Sequence, residues 1–217
     1  MISKSTLATG GTEVIIFTRF PEAGTTKTRL IPLLGSEKAA RLQKVMTEKL
    51  FAAAEAIPAT LGSRLTICFS GGSKTLMAAW LGNHRYLKQK GETLGDKMEH
   101  AFREVFKEGA EQAILVGSDI PSIDTPLLSR AVALVQENQV VIGPTWDGGY
   151  CLIGFNKTHA TEIYSAIFHD IAWSSESVFE TTMQKLTALK IAPVVLPRQH
   201  DIDIPEDLQF ADQWKLL

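Results

Sequence analysis

Short apolar runs alternate with helix-periodic segments along almost the whole chain, and this alternation constrains the fold more than any other feature. The runs Val14-Ile-Ile-Phe17, Leu65-Thr-Ile-Cys-Phe69, Ala113-Ile-Leu-Val116, Val140-Val-Ile142, Tyr150-Cys-Leu-Ile153 and Val194-Val-Leu196 have the length and apolar content of buried strands. A weaker strand is expected over 85–88. Between the runs, apolar residues recur every three or four positions. Ala39, Leu42, Val45, Met46, Leu50 and Ala53 share one helical face, and Leu94, Met98, Ala101, Phe102, Val105 and Phe106 share another. Ser36 is expected to cap the first of these helices, and Gly109 to end the second. A short helix is expected over 74–81. Thr125-Pro126 should open one reaching about residue 138, Ser177 and Glu180 should form a capping box for one over 177–189, and Pro205 should open a last one.

Strands separated by helices pair in parallel and are covered on both faces. Residues 12–217 are therefore expected to form one three-layer α/β/α domain with a mostly parallel central sheet. The close spacing around Asp147 requires a hairpin or an antiparallel strand within it. A chain of 217 residues is long enough for one such core. Residues 1–11 read as a loose tail without the apolar centre of a signal peptide.

The net charge of -2 offers no broad cationic face for nucleic acid, and no apolar stretch is long enough to span a bilayer. Cys68 and Cys151 fall within predicted strands and match no metal or redox spacing. They read as buried thiols of a cytoplasmic protein, with a disulfide between them as the alternative. No pattern encodes an oligomeric state.

Open α/β sheets place ligands at the carboxyl ends of their strands. Asp119 emerges there, where an apolar run ends in Gly117-Ser-Asp-Ile-Pro121. The first strand leads into Arg19-Phe-Pro-Glu-Ala-Gly-Thr-Thr-Lys-Thr-Arg-Leu30. In it Gly24 permits close backbone approach, Thr25, Thr26 and Thr28 offer hydroxyls, and Lys27 and Arg29 offer cationic donors for phosphate. The Walker spacing is absent, and a solvated basic loop is the ordinary alternative. At Gly91-Glu-Thr-Leu-Gly-Asp-Lys-Met98, Leu94 and Gly95 open a helix whose N–H groups suit an anion or a base, unless this is a plain helix start. In Trp146-Asp-Gly-Gly-Tyr150, Trp146 and Tyr150 offer stacking surfaces and Gly148 and Gly149 a free approach. Asp147 reads as an acceptor-binding group or base and as a hairpin-turn residue, and the two readings can hold together. In His200-Asp-Ile-Asp-Ile-Pro-Glu-Asp207, Asp201 and Asp203 point to one side of an extended segment. Asp203 is the preferred second ligand for a divalent cation at Asp119, and Glu206 and Asp207 are assigned to the following helix start.

Six ordered motifs run from Pro21-(x)2-Gly24-(x)2-Lys27-Thr-Arg-Leu30 through Gly91-(x)2-Leu-Gly-(x)2-Met98, Gly117-Ser-Asp-(x)-Pro121, Asp147-Gly-Gly-Tyr150 and Trp173-Ser-Ser175 to Asp201-Ile-Asp203. Together they resemble the GT-A-type transferases found beside radical-SAM and selenium-domain proteins, a domain of unknown function. That family is similar to nucleotide-diphospho-sugar transferases and, more distantly, to guanylyltransferases acting on molybdenum cofactor or 2-phospho-lactate. The resemblance implies a GT-A fold, a nucleotide-phosphate loop at Lys27 and Arg29, and a metal-binding acid at Asp119. The chain departs from the pattern at Lys97, where the family usually has Arg, and at Gly117, which leaves Asp119 without an Asp-x-Asp partner.

The expected function is a Mg²⁺- or Mn²⁺-dependent glycosyltransferase taking a nucleotide-diphospho-sugar and a small-molecule acceptor, with Asp147 and Lys27 as catalytic residues. A nucleotidyltransferase releasing pyrophosphate is the first alternative, and a non-catalytic sugar-nucleotide binder the second.

Overall fold

The computed structural model describes residues 11–211, so the expected tail lies outside them apart from Gly11. The elements are β1 (Thr12–Arg19), α1 (Ile31–Leu34), α2 (Ser36–Glu55), β2 (Ser63–Ser70), α3 (Lys74–Leu81), β3 (Arg85–Lys88), α4 (Leu94–Lys107), β4 (Gln112–Gly117), α5 (Thr125–Glu137), β5 (Val140–Pro144), β6 (Tyr150–Asn156), α6 (Lys157–Phe168), α7 (Val178–Ala188) and β7 (Val194–Val195). The strands form one sheet in the order β3-β2-β1-β4-β6-β5-β7. Only β6 runs antiparallel to its neighbours, β4 and β5, and its hairpin with β5 is the interruption expected around Asp147.

Both faces of the sheet are covered, which is why its strands read as continuous apolar runs. Val14 and Ile16 of β1 face a core shared with α2 and α5. Ile15 turns to the opposite core, built from α4, α6 and α7 around Phe102, Phe155 and Phe168. Phe102 packs edge-on against Phe155 with ring centroids 4.7 Å apart, a favourable quadrupolar arrangement. At the amino edge, the buried carboxylate of Glu13 ties β1 to β2 through the Thr66 hydroxyl (2.5 Å) and Arg64 (3.2 Å). Cys68 and Cys151 are both free, and burial pushes each thiol up to about 12. Strands β1 and β4 lie between them, so the disulfide alternative is excluded.

Several helix starts differ from expectation. Gly35 rather than Ser36 occupies the cap of α2, and Asp124 rather than Thr125 caps α5 by accepting from the Leu127 N–H (2.9 Å). Ser177 makes no capping bond to α7, because its hydroxyl pairs with that of Ser175 (2.9 Å). The helix opened by Pro205 is a 3-10 turn, Pro205–Phe210. Helix α6 was not expected at all, although Ala160, Ile163, Tyr164, Ile167 and Phe168 bury one face of it.

The carboxyl ends of β1, β2, β3, β4 and β5 all reach the same edge of the sheet. The candidate residues collect along that edge.

Candidate active site

The loop after β1 folds back on itself through Thr26. Its hydroxyl donates to the Phe20 carbonyl (3.1 Å) and accepts from the Glu22 N–H (3.2 Å), so this buried threonine staples the loop. Gly24 turns the chain at φ +85. Lys27 then adopts left-handed backbone angles, φ 51 and ψ 46, an arrangement that costs a non-glycine residue about 1 kcal/mol. The turn drives the lysine side chain inward, to 4 % exposure. Its ammonium donates to the Ile202 carbonyl (2.6 Å) and pairs with Asp119 (2.8 Å) and Asp203 (3.6 Å). The Arg29 guanidinium closes on the other oxygen of Asp203 at 2.6 Å. Segment 201–203 is anchored in return by the Ile202 N–H, which donates to the Asp119 carbonyl (3.0 Å). Asp207 assists from the helix start, as expected, by accepting from the N–H groups of Asp203 and Ile204 at 2.8 Å each.

These groups wall a cleft of about 390 Å³ together with Arg19, Thr25, Ser70, Gln89 and Ser174. Beneath it lies a polar network that the sequence reading missed. The Gln43 amide nitrogen donates to Thr47 (3.2 Å) and Ser118 (2.8 Å), Ser118 donates to Thr18 (2.9 Å), and Thr18 meets Thr47 (2.9 Å). All four side chains are buried, so the network clamps α2, the end of β1 and the residue before Asp119 into one geometry. Its signal was a glutamine among the apolar positions of the α2 face. Ser174 was likewise missed as a wall residue. It holds φ 68, and the chain beside it is fixed by Trp173, which packs against Tyr150 and Phe168.

Among the described residues, no group of three or more His, Cys, Asp or Glu is arranged to hold a metal. Asp119 and Asp203 nevertheless suit a Mg²⁺-like ion. Their side chains are 48 % and 39 % exposed, and such an ion needs only one or two protein carboxylates when substrate phosphates complete its shell. The two acids are matched in charge by Lys27 and Arg29, so a cation would enter together with an anionic ligand.

The second part of the edge is the β5–β6 hairpin. The Asp147 Oδ1 accepts from the Thr145 hydroxyl and from the Gly149 N–H (3.0 Å), which makes Asp147 a turn residue. Its Oδ2 carries no hydrogen bond among the described residues, and the side chain is exposed. Burial, with help from Asp147, pushes the nearby Asp201 carboxyl up to about 6. Trp146 is 59 % exposed and stacks on His200 with ring centroids 5.5 Å apart, while Arg198 sits 5.1 Å above the indole.

Other expected contacts are not brought into the cleft. A Cβ on Gly148 would lie 2.0 Å from the Glu176 carbonyl oxygen, so this glycine admits a neighbouring loop rather than a ligand. Gly95 likewise admits Phe168 (2.2 Å) and Trp173 (2.9 Å), and Thr93 and Asp96 close the start of α4 with a capping box. Leu94 is partly exposed but outside the cleft lining. The Tyr150 phenol oxygen is buried and its ring packs against the core, so this side chain is core rather than a stacking platform. Gly149 packs against the Asp147 carboxylate.

Residues 52–175 match the family described as "Uncharacterized protein conserved in bacteria (DUF2064)". A solved structure from Desulfovibrio desulfuricans G20, described as a "putative nucleotide-diphospho-sugar transferase", is 32 % identical. It covers 91 % of this chain and 84 % of its own, with a TM-score of 0.83. The fold is shared at lower identity with 4-diphosphocytidyl-2C-methyl-D-erythritol synthase from Anaerococcus prevotii DSM 20548 (12 % identity, 96 % and 97 % coverage, TM-score 0.62). It is also shared with the manganese complex of Rv0371c from Mycobacterium tuberculosis H37Rv (15 % identity, 93 % and 97 % coverage, TM-score 0.55). No curated protein matches the chain. No helix among the described residues is long and apolar enough to cross a membrane.

Proposed function

Because this chain belongs to the DUF2064 family of bacterial proteins, we propose that it is a transferase whose cleft takes a nucleotide-diphospho-sugar and passes the sugar to a small-molecule hydroxyl. The observation that carries this reading is the buried Lys27 ammonium, held between Asp119 and Asp203 in a cleft at the carboxyl edge of the sheet.

Lys27 Nζ and the Arg29 guanidinium donate to the oxygens of the diphosphate. Both cations are preorganised by carboxylates, so charge building on the leaving group meets fixed donors in a partly desolvated wall. Asp119 and Asp203 would hold Mg²⁺ or Mn²⁺, which when bound neutralises the departing diphosphate. Thr25 and Ser174 line the same wall, and Trp146 offers an exposed ring on the acceptor side. In the transfer, the acceptor oxygen bonds to the anomeric carbon, the bond from that carbon to the diphosphate breaks, and the hydroxyl proton goes to Oδ2 of Asp147. Asp147 serves this role from the neighbouring hairpin, its Oδ1 tied down by Thr145 and Gly149.

Nucleotidyl transfer is the second reading, favoured by Gly117, which removes the first acid of an Asp-x-Asp pair, and by the cationic Lys27/Arg29 wall. Product analysis with Mg²⁺ separates the two. Sugar transfer releases a nucleoside diphosphate from a sugar nucleotide, whereas pyrophosphate from a triphosphate overturns it in favour of the second reading. In thermal-shift assays, sugar nucleotides with Mg²⁺ or Mn²⁺ should raise Tm, and EDTA or Asp119→Asn should abolish the metal-dependent part of that shift. Stabilisation without turnover of any substrate would leave a binder.

A further inference from the structure

Gln43 is buried to 3 % exposure, yet it lines the cleft. Its orientation is set from below, because both donor positions of its amide nitrogen are spent on Thr47 (3.2 Å) and Ser118 (2.8 Å). The carbonyl oxygen Oε1 has no hydrogen-bond partner among the described residues. Gln43 is among the residues lining the cleft, which places its amide at the cleft floor.

We propose that Gln43 Oε1 is a recognition acceptor at the cleft floor that takes a hydrogen bond from a hydroxyl of the bound ligand. This inference rests on the reading that the cleft takes a nucleotide-linked substrate. The rest of the lining argues for a donor partner. Lys27, Arg29, Arg19 and the wall hydroxyls supply donors for phosphate oxygens, but the floor presents an acceptor, which an anion would not approach. A hydroxyl satisfies it, and a buried amide oxygen left facing a missing hydroxyl loses a hydrogen bond. The buried network adds rigidity, since rotating the Gln43 amide would disturb Thr47, Ser118 and, through Ser118, Thr18.

The hydroxyl could belong to the ribose or to the transferred sugar, and the test separates these sources. Dissociation constants are measured by calorimetry with Mg²⁺ for CTP, GTP, UTP and ATP, their 2′-deoxy and 3′-deoxy forms, UDP-glucose, and UDP-glucose analogues deoxygenated on the glucose. The wild-type protein should bind one hydroxylated probe about tenfold more tightly than its deoxy partner. Gln43→Met, which is close in shape but has no acceptor, should bring that ratio below about twofold, while Gln43→Glu, which keeps an acceptor, should preserve it. Thermal melts report whether each variant folds, and Gln43→Leu, also without an acceptor, provides a second variant if Gln43→Met does not. A deoxy penalty on the nucleoside identifies the ribose, and one on glucose identifies the sugar. Normal nucleotide binding with no deoxy penalty, or with a penalty unchanged in Gln43→Met, overturns this inference alone. Absence of binding by every probe overturns the functional reading and the inference together.

Discussion

The two halves of the carboxyl edge treat their acidic residues in opposite ways. At the β1–β4 half, Asp119 and Asp203 are paired with Lys27 and Arg29, and the positive groups are drawn in from the loop by a left-handed turn. At the β5–β6 half, Asp147 and Asp201 are near enough to raise the protonation range of Asp201, and neither forms an ion pair among the described residues. The first half is balanced and organised for an incoming anion. The second is held together by turn geometry and by glycines that admit other backbone, so its acids are restrained by hydrogen bonds rather than by charge.

The comparison breaks most decisively at Lys27. Lys27→Met should lower turnover about a thousandfold, because it removes a preorganised donor to the developing charge. Steady-state release of nucleoside diphosphate measures it, and an effect below tenfold would show that the balanced half is structural. Gly148→Ala addresses the other half. Its Cβ would meet the Glu176 carbonyl oxygen at 2.0 Å in a backbone with φ +88, and the variant should lose about 3 kcal/mol in urea unfolding.

A pH experiment sharpens the charge argument. Burial, then Asp147, raises Asp201 in the folded protein from 3.8 to about 6. The folded state therefore favours the protonated carboxyl. Its contribution to stability is full below about pH 3.8 and is lost as pH rises through about 6. Allowing for solvent screening of this half-buried group, the loss is about 1 kcal/mol. Asp201→Asn should flatten the unfolding free energy across that window, and an unchanged slope would show that Asp201 does not sense its neighbours. The smallest effect is expected from Trp146→Ala, below about 0.5 kcal/mol in stability for a largely exposed side chain, so any strong loss of acceptor affinity in that variant reports a direct contact.

The strands, most helices and the reversal at Asp147 were legible because periodicity is a local property of the chain. Helix α6 carried the same signal in Ala160, Ile163, Tyr164, Ile167 and Phe168, but its threonines, serine and isoleucines have weak helix propensity, and tertiary packing decides the outcome. Within the site, Lys27, Arg29, Asp119 and Asp203 were legible as residue types at strand ends. Their mutual pairing was not, because Arg29 and Asp203 are 174 positions apart and meet only where segment 201–203 returns to Asp119 at the end of β4, beside β1. Gly95, Gly148 and Tyr150 were misread for a related reason: a glycine that admits a ligand and one that admits a carbonyl look alike until the neighbour is known. Gln43 announced itself only as a polar residue on an apolar face.

The clasp between Lys27 and segment 201–203 has a consequence for synthesis. The ribosome delivers Lys27 early, and its partner Asp119 follows about 90 residues later, in time for β1 and β4 to pair. The Ile202 carbonyl and Asp203 emerge only after nearly all of the sheet has been made. Until then the nascent chain can hold a packed core while its cleft wall is incomplete, so gaining a core and gaining a finished cleft are separate events in the life of this chain.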